Sequence, residues 1–362
     1  MDRVYNFNPG PATLPLEVLR EVQAEFLDFK NTGMSIVEIS HRSAEYENLN
    51  AEAETDIKEL MGIGDDYRVL FMQGGATMQF SLIPMNLPSE GMVADYVVAG
   101  EFGQRAFKQA KELMTANAAA DMSADNFKRV PAVSELKTSK DQAYLHITTN
   151  NTIYGTAWRE YPDFGDCTLV ADMSSDFLSQ PFAADKFSLI YAGAQKNLGP
   201  AGAAVVVIKK TLLEKCSDDI PEFFSYKVHA KNNSLYNTPP VFTVYVISKV
   251  LKWLKAKGGL SVIGKQNVVK SDIIYDVIDR YPEFYLGHAE KTSRSIMNIT
   301  FRLPNEEAEN AFVKQAAEKG LVNVKGHRSV GGMRISVYNY MPLEGCEKMA
   351  EFMESFCKNY HK

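Results

Sequence analysis

The chain has few cysteines and no long apolar run, and both shortages narrow its chemistry. Four cysteines, Cys167, Cys216, Cys346 and Cys357, are scattered through 362 residues without metal-ligand spacing. No disulfide framework or cysteine metal site organises such a chain, and the pattern fits a reducing cytoplasm. The longest apolar stretches, such as Ala203 to Ile208, fall far short of the roughly 20 residues that cross a bilayer. The start, Met1-Asp-Arg-Val-Tyr5, lacks the charged head and apolar stretch of a secretory signal, so a cytoplasmic location is expected. Excess positive charge is missing too. Thirty-nine Lys and Arg against forty-five Asp and Glu leave −6 with no basic run, which argues against a nucleic-acid partner. Internal repeats and low-complexity tracts are also absent.

What is present is enough chain for a large core and more. A single core rarely grows beyond roughly 250–300 residues, so a second, smaller unit is expected. Apolar periodicity predicts helices over 16–30, 44–61, 106–113, 241–255 and 265–280. Between Arg68 and Ile208, short apolar runs alternate with helical stretches, the mark of a mostly parallel sheet with helices on its faces. After Tyr281-Pro282 the pattern changes. Strands near 296–302 and 333–337 and helices over 306–319 and 343–359 give an α+β unit. The division expected is a large unit over 16–262 and a small one formed by 1–15 and 263–362.

Three motifs carry chemistry. In Lys186-Phe-Ser-Leu-Ile-Tyr-Ala-Gly-Ala-Gln-Lys196-Asn-Leu-Gly-Pro-Ala-Gly202 a strand ends in small residues, then one lysine, then a Gly/Pro turn into another strand. Taken alone, Lys196 reads as a surface lysine in a turn, since most lysines are exposed. The constrained backbone offers another use, a fixed and desolvated amine of the kind Schiff-base chemistry needs. Upstream, Cys167-Thr-Leu-Val-Ala-Asp172 is a buried strand with a carboxylate at its carboxyl end, where open α/β sheets bind ligands. Asp172 can cap a turn or hold the protonated pyridine nitrogen of pyridoxal phosphate. Finally, strand 67–72 runs into Gln73-Gly-Gly-Ala-Thr77 and a helix from Met78. A Gly-Gly turn there lets backbone N–H groups approach a phosphate.

With these residues in view, the chain resembles the phosphoserine aminotransferase family, class V, fold-type I pyridoxal-phosphate enzymes. The resemblance runs nearly end to end, from Tyr5-Asn-Phe-Asn-Pro-Gly-Pro-Ala-Thr-Leu-Pro15 and Ser40-His41-Arg42-Ser43 through Asn151-Thr152-Ile-Tyr-Gly155 and the three motifs above. Asn237-Thr238-Pro239-Pro240 and Gly326-His-Arg-Ser-Val-Gly-Gly-Met-Arg-Ile-Ser336 close it. It implies an α/β fold with a seven-stranded, mostly parallel sheet and a small α+β domain. It implies pyridoxal 5'-phosphate as cofactor and a homodimer with shared active sites. By position, Lys196 is the Schiff-base lysine and proton shuttle, Asp172 the partner of the pyridine nitrogen, and Thr152 a donor to the phenolic oxygen. Gly75, Ala76, Gln195 and, from the partner subunit, Asn237 and Thr238 take the phosphate. Phe102 stands where many members carry Trp, as the ring stacked on the pyridine; it keeps a π-face and loses the indole N–H.

The reaction implied is transamination of 3-phosphohydroxypyruvate with L-glutamate, giving O-phospho-L-serine and 2-oxoglutarate, a step of serine biosynthesis. A second substrate of some bacterial members, 3-hydroxy-2-oxo-4-phosphooxybutanoate, belongs to pyridoxine biosynthesis and is left open by the sequence. Arg334, opening an apolar strand after Gly331-Gly332, suits an α-carboxylate. His41-Arg42 and His327-Arg328, two His-Arg pairs far apart in sequence, are each ordinary surface pairs alone. Together at a dimer interface they would suit a phosphate. Competing readings are an aminotransferase of unphosphorylated 2-oxo acids, which surplus cations argue against, a cysteine desulfurase or lyase, which needs a reactive loop cysteine where His327-Arg-Ser-Val-Gly stands, and a non-catalytic relative, which would have no use for Lys196, Asp172 and Thr152.

Overall fold

The computed structural model describes residues 3–87, 90–165 and 167–360. The chain opens with β1 (Tyr5–Asn6) and α1 (Leu16–Glu25), then α2 (Ala44–Met61). The first helix stops at Glu25 instead of continuing to Lys30. Lys30 and Asn31 take φ of 52° and 60°, a left-handed backbone through which no α-helix continues. The second helix has the expected bounds. Ser43 accepts a hydrogen bond from the Tyr46 amide at its start, and Gly62, at φ 67°, ends it.

The large sheet comes next. In chain order the elements are β2 (Tyr67–Gln73), α3 (Ala76–Asn86), β3 (Val93–Val98), α4 (Glu101–Leu113), β4 (Ala116–Asp121) and β5 (Gln142–Thr148). A short hairpin, β6 (Asn150–Asn151) and β7 (Thr156–Ala157), precedes β8 (Leu169–Asp172), β9 (Leu189–Gly193) and β10 (Ala203–Lys209). Seven strands lie in the order β2-β10-β9-β8-β5-β3-β4. Only β10 runs antiparallel to its neighbours. Alternate residues serve opposite faces. Val69, Phe71, Ile190 and Val205 join one buried cluster, and Leu70, Met72, Leu189 and Val206 join another across the sheet. Helices α3 and α4 begin earlier than expected, at Ala76 and Glu101. The link from β8 to β9 is not helical. It holds only a short 3-10 turn, Ala184–Lys186, because Leu178 at φ 55° and Pro181 interrupt it.

Beyond the sheet lie α5 (Lys210–Leu213), α6 (Tyr226–Lys231), α7 (Val241–Ala256), α8 (Gly259–Arg280), β11 (Leu286–Gly287) and β12 (Asn298–Arg302). Then follow α9 (Glu306–Glu318), β13 (Leu321–Val322), β14 (Met333–Ser336) and α10 (Leu343–Tyr360). The strands β11-β12-β14 form a small antiparallel sheet, and β1 pairs in parallel with β13. A separate apolar cluster, including Phe7, Ile299, Phe312, Ile335 and Phe352, fills this part. Helix α8 starts six residues before the expected Lys265 and runs unbroken through 262–263. Its Leu260 and Ile263 join the large core, and its Ile274, Val277 and Ile278 join the small one. Among the described residues no helix is long and apolar enough to cross a membrane.

Candidate active site

Because β2, β3, β5, β8 and β9 run the same way, their carboxyl ends share one edge of the sheet. Gly74-Gly75 follows β2 there, Gly100 to Phe102 follows β3, Thr149 to Thr152 follows β5, Asp172 closes β8, and the Lys196 turn follows β9. That edge is where open α/β sheets bind ligands.

The Lys196 turn is tied down on all sides. Its backbone closes on itself, with the Leu198 and Gly199 amides donating to the Ala194 carbonyl. Asn197, fully buried, donates to the Phe177 carbonyl and accepts from the Asn339 amide, while the Tyr340 hydroxyl donates to its carbonyl. From the amino-terminal segment, the Ala12 amide donates to the Gln195 carbonyl at 2.9 Å. Gly10, at φ 147°, passes so close that a Cβ would lie 3.2 Å from Lys196 Cγ. Held there, Lys196 Nζ donates to Thr152 Oγ1 at 2.7 Å and sits 5.0 Å from the centre of the Phe102 ring. Burial pushes its pKa down to about 8, against the attraction of Asp172 and Asp176 and with the help of Arg334.

Asp172 is buried, and its Oδ1 accepts from the Ser174 amide at 2.9 Å. It therefore serves as a turn cap while lying at the pocket edge; the two uses are compatible. Thr149 binds the Asp172 carbonyl through both its amide and its hydroxyl, at 3.0 and 3.1 Å. The hydroxyl also lies 2.6 Å from Oδ1 of Asp176. Asp176 escaped the sequence reading. Its signal was a second carboxylate four residues after Asp172 in Asp-Met-Ser-Ser-Asp.

At the end of β2, Gly74 takes φ 84° and Gly75 occupies the first cap of α3 with no side chain covering the helix amides. An eleven-residue helix thus offers bare N–H groups and the positive end of its dipole. The Gln195 side chain folds against Gly193, where an added Cβ would lie 2.8 Å from Gln195 Oε1. Asn237 and Thr238 lie on the surface. The Thr238 carbonyl accepts from the Gln73 side chain of the same chain and from Asn237 at 3.2 Å, leaving Thr238 exposed.

The cations divide into two groups. Arg334 is buried, and its Nη1 donates to the Thr152 carbonyl at 3.2 Å. Its Nε has no hydrogen-bond partner among the described residues, and burial depresses its pKa. His327 lies near Arg334, Arg328, Glu101 and Arg105; burial first, then Arg334 and Arg328, lower its pKa. Its Nδ1 meets the Ser329 hydroxyl at 2.7 Å, and Arg328 is exposed. Arg105 was missed. With α4 starting at Glu101 it stands one turn on, paired with Glu101 at 2.9 Å and 5.8 Å from the Phe102 ring centre. His41 and Arg42 lie elsewhere. Arg42 is exposed and lines a groove with Asn50, Asn232, Asn233 and Leu235, and His41 Nε2 is buried with no hydrogen-bond partner among the described residues. Among the described residues, no contact joins the two His-Arg pairs within one chain. His41-Arg42 and Asn237-Thr238 instead flank the same 232–235 stretch.

Three comparisons bear on this arrangement. Residues 4–349 match the family model of the class-V aminotransferases. The chain is 51% identical to the phosphoserine aminotransferase of Lysinibacillus sphaericus over 354 residues, 98% of each chain. It superposes on the phosphoserine aminotransferase of Bacillus circulans subsp. alkalophilus with a TM-score of 0.97, at 48% identity over 99% of this chain and 100% of that one. For the pyridoxal-phosphate-bound phosphoserine aminotransferase of Trichomonas vaginalis the TM-score is 0.92, at 36% identity over 97% and 100%.

Proposed function

The chain belongs to the class-V aminotransferase family, and from that premise we propose how its own side chains divide the work. The activity is phosphoserine aminotransfer, with 3-phosphohydroxypyruvate and L-glutamate giving O-phospho-L-serine and 2-oxoglutarate. The cofactor is pyridoxal 5'-phosphate. The donor set fits it: an amine of lowered basicity, a buried carboxylate, an uncapped helix start and an aromatic face all meet at one sheet edge. When bound, the cofactor supplies the electron sink for the carbanion at the substrate's α-carbon.

Lys196 would hold the cofactor covalently, and its Nζ takes and returns the α-proton. Thr152 Oγ1 orients that nitrogen and would hold the phenolic oxygen. Asp172 would hold the ring nitrogen. Phe102 would lend its face, and the amides of Gly75 and Ala76 with the Gln195 side chain would take the phosphate. Arg334, with an unsatisfied Nε, forks onto the α-carboxylate every substrate carries. The observation that carries this reading is the 2.7 Å bond from Lys196 Nζ to Thr152 beside Phe102, at a lysine whose pKa is pushed down to about 8. The test is Lys196→Ala. It should lose both the covalent attachment of the cofactor, read as the mass the chain gains after borohydride reduction, and the transamination; near-normal turnover would refute the assignment.

We also propose a homodimer in which Asn237 and Thr238 reach the partner's phosphate site and His41-Arg42 joins the partner's His327-Arg328 around the distal anion. Support comes from the surface that carries them. Leu27 (80% exposed), Met34 and Val37 precede His41 as an apolar strip, and Phe26 packs edge-on against Phe242 of α7. Mixing two inactive variants tests it. If the sites are shared, Lys196→Ala mixed with Asn237→Ala/Thr238→Ala restores one intact site per mixed dimer; if they are not, no activity returns. The longer 3-hydroxy-2-oxo-4-phosphooxybutanoate presents the same carboxylate and phosphate, so the same cations serve it, and an assay with that acid checks this. A cytoplasmic setting is consistent with four free thiols.

A further inference from the structure

The pocket edge holds a second carboxylate that the roles above leave unused. Asp176 sits one turn after Asp172, half-buried, with its Oδ1 2.6 Å from the Thr149 hydroxyl. That hydroxyl has one proton and two acceptors, Asp176 Oδ1 and, at 3.1 Å, the Asp172 carbonyl. Thr149 opens the turn that delivers Thr152 to Lys196. One side chain thus links the strand end bearing Asp172 with the turn that orients the amine.

We propose that Asp176 is a positioning residue which, through its charge, governs when Lys196 holds its proton. The inference rests on the role given to Lys196 above. The groups facing Asp176 are few. Asp172 comes from the end of β8 and Lys196 from the turn after β9. Tyr161 and Tyr338 approach from the 158–165 segment and the end of β14, and burial keeps both hydroxyls protonated. Of the chain's own groups, Lys196 and Arg334 are the cations here, and Asp172 and Asp176 the anions. Protonating Asp176 takes one anion away from Lys196 whatever pairs with Asp172, and Lys196 then releases its proton more readily. Burial, with Asp172 next to it, raises the Asp176 pKa to about 7, so this balance changes at physiological pH.

The experiment is a pH titration of the holoenzyme's visible absorption in wild type, Asp176→Asn, Asp176→Glu and Thr149→Val, with thermal unfolding to check folding. Asp176→Asn removes a negative charge near Lys196. Its colour change should move to lower pH, so that the deprotonated fraction at a pH below the wild-type midpoint rises about threefold or more. Asp176→Glu should stay near wild type. Thr149→Val should leave the charge but loosen its placement, broadening the transition. A folded Asp176→Asn that titrates as wild type overturns the proposal, and so does an Asp176→Glu that shifts as far as Asp176→Asn. A cofactor still fixed to the chain by borohydride in Lys196→Ala would instead overturn the role of Lys196, which separates the two failures.

Discussion

The sheet edge and the 232–242 surface are built in opposite ways. At the edge, Asp172, Thr152 and Arg334 are buried, and Lys196 and Arg334 both donate to Thr152 within a single chain. At the surface, Arg42 and Thr238 are exposed, and the Thr238 carbonyl accepts from the Gln73 side chain. Chemistry needs preorganised groups in a low dielectric, and strand ends packed in a core supply them. Recognition of a mobile anion needs long cations on loops, and loops are completed by whatever packs on them.

The sharpest way to break this contrast is at the edge. Lys196→Ala should lower kcat by at least about 10³-fold, since it removes the proton carrier. Asp172→Asn should keep the cofactor but lose about 10²–10³-fold, the scale of one removed electrostatic partner. Single-turnover rates check both, and a rate for Asp172→Asn equal to wild type would leave Asp172 a turn cap only.

Next come the cations, where edge and surface should separate by substrate. Charge-assisted bonds contribute about 1.5–3 kcal/mol each. Arg334→Ala should therefore cut kcat/KM about 10- to 100-fold for phosphoserine, glutamate and alanine alike. Arg42→Ala and Arg328→Ala should cut it about as much for the first two and far less for alanine, which has no distal anion. Equal losses for all three donors in the latter variants would make the His-Arg pairs structural.

The same contrast explains what the sequence could tell. Lys196 and Asp172 were legible as a pair: each alone reads as a turn residue, but a carboxylate closing one buried strand and a lysine in the tight turn after the next together suit one cofactor. Thr152, Phe102 and the phosphate residues came from the family resemblance, since a threonine after a strand has no pattern of its own. Arg105 and Asp176 were missed for local reasons. The start of α4 was read at Ala106, which left Arg105 outside the helix, and nothing in the sequence pairs Asp176 with Thr149, 27 residues earlier. Between β8 and β9 the expected alternation of strands and helices fails, and Leu178 in a left-handed conformation shows what overrode it.

A milder probe is pH. Lys196 has its pKa lowered to about 8, so the free amine appears as pH rises through about 8, well below the ordinary lysine range near 10.4. Recapture of cofactor by enzyme stripped of it should rise with pH and level off above about 8. A rise that continues toward pH 10 would show that Lys196 is solvated like a surface lysine, and the edge would lose its distinction from the surface.

The smallest effect belongs to Phe102. Its ring centre lies 5.0 Å from Lys196 Nζ, with the Arg105 guanidinium 5.8 Å away. A ring face attracts a cation by about 0.5–1 kcal/mol where solvent still reaches, more when it does not. Phe102→Leu keeps apolar bulk and deletes the face. The Lys196 ammonium should then be less stable, and the midpoint of cofactor recapture should fall by less than about one pH unit. Phe102→Trp enlarges the face and should move the midpoint upward by a similar or smaller amount, while tightening cofactor binding within about tenfold. Opposite shifts in the two variants would tie the ring to the charge on Lys196. Shifts in the same direction would mean that shape, not the π-face, is what position 102 contributes.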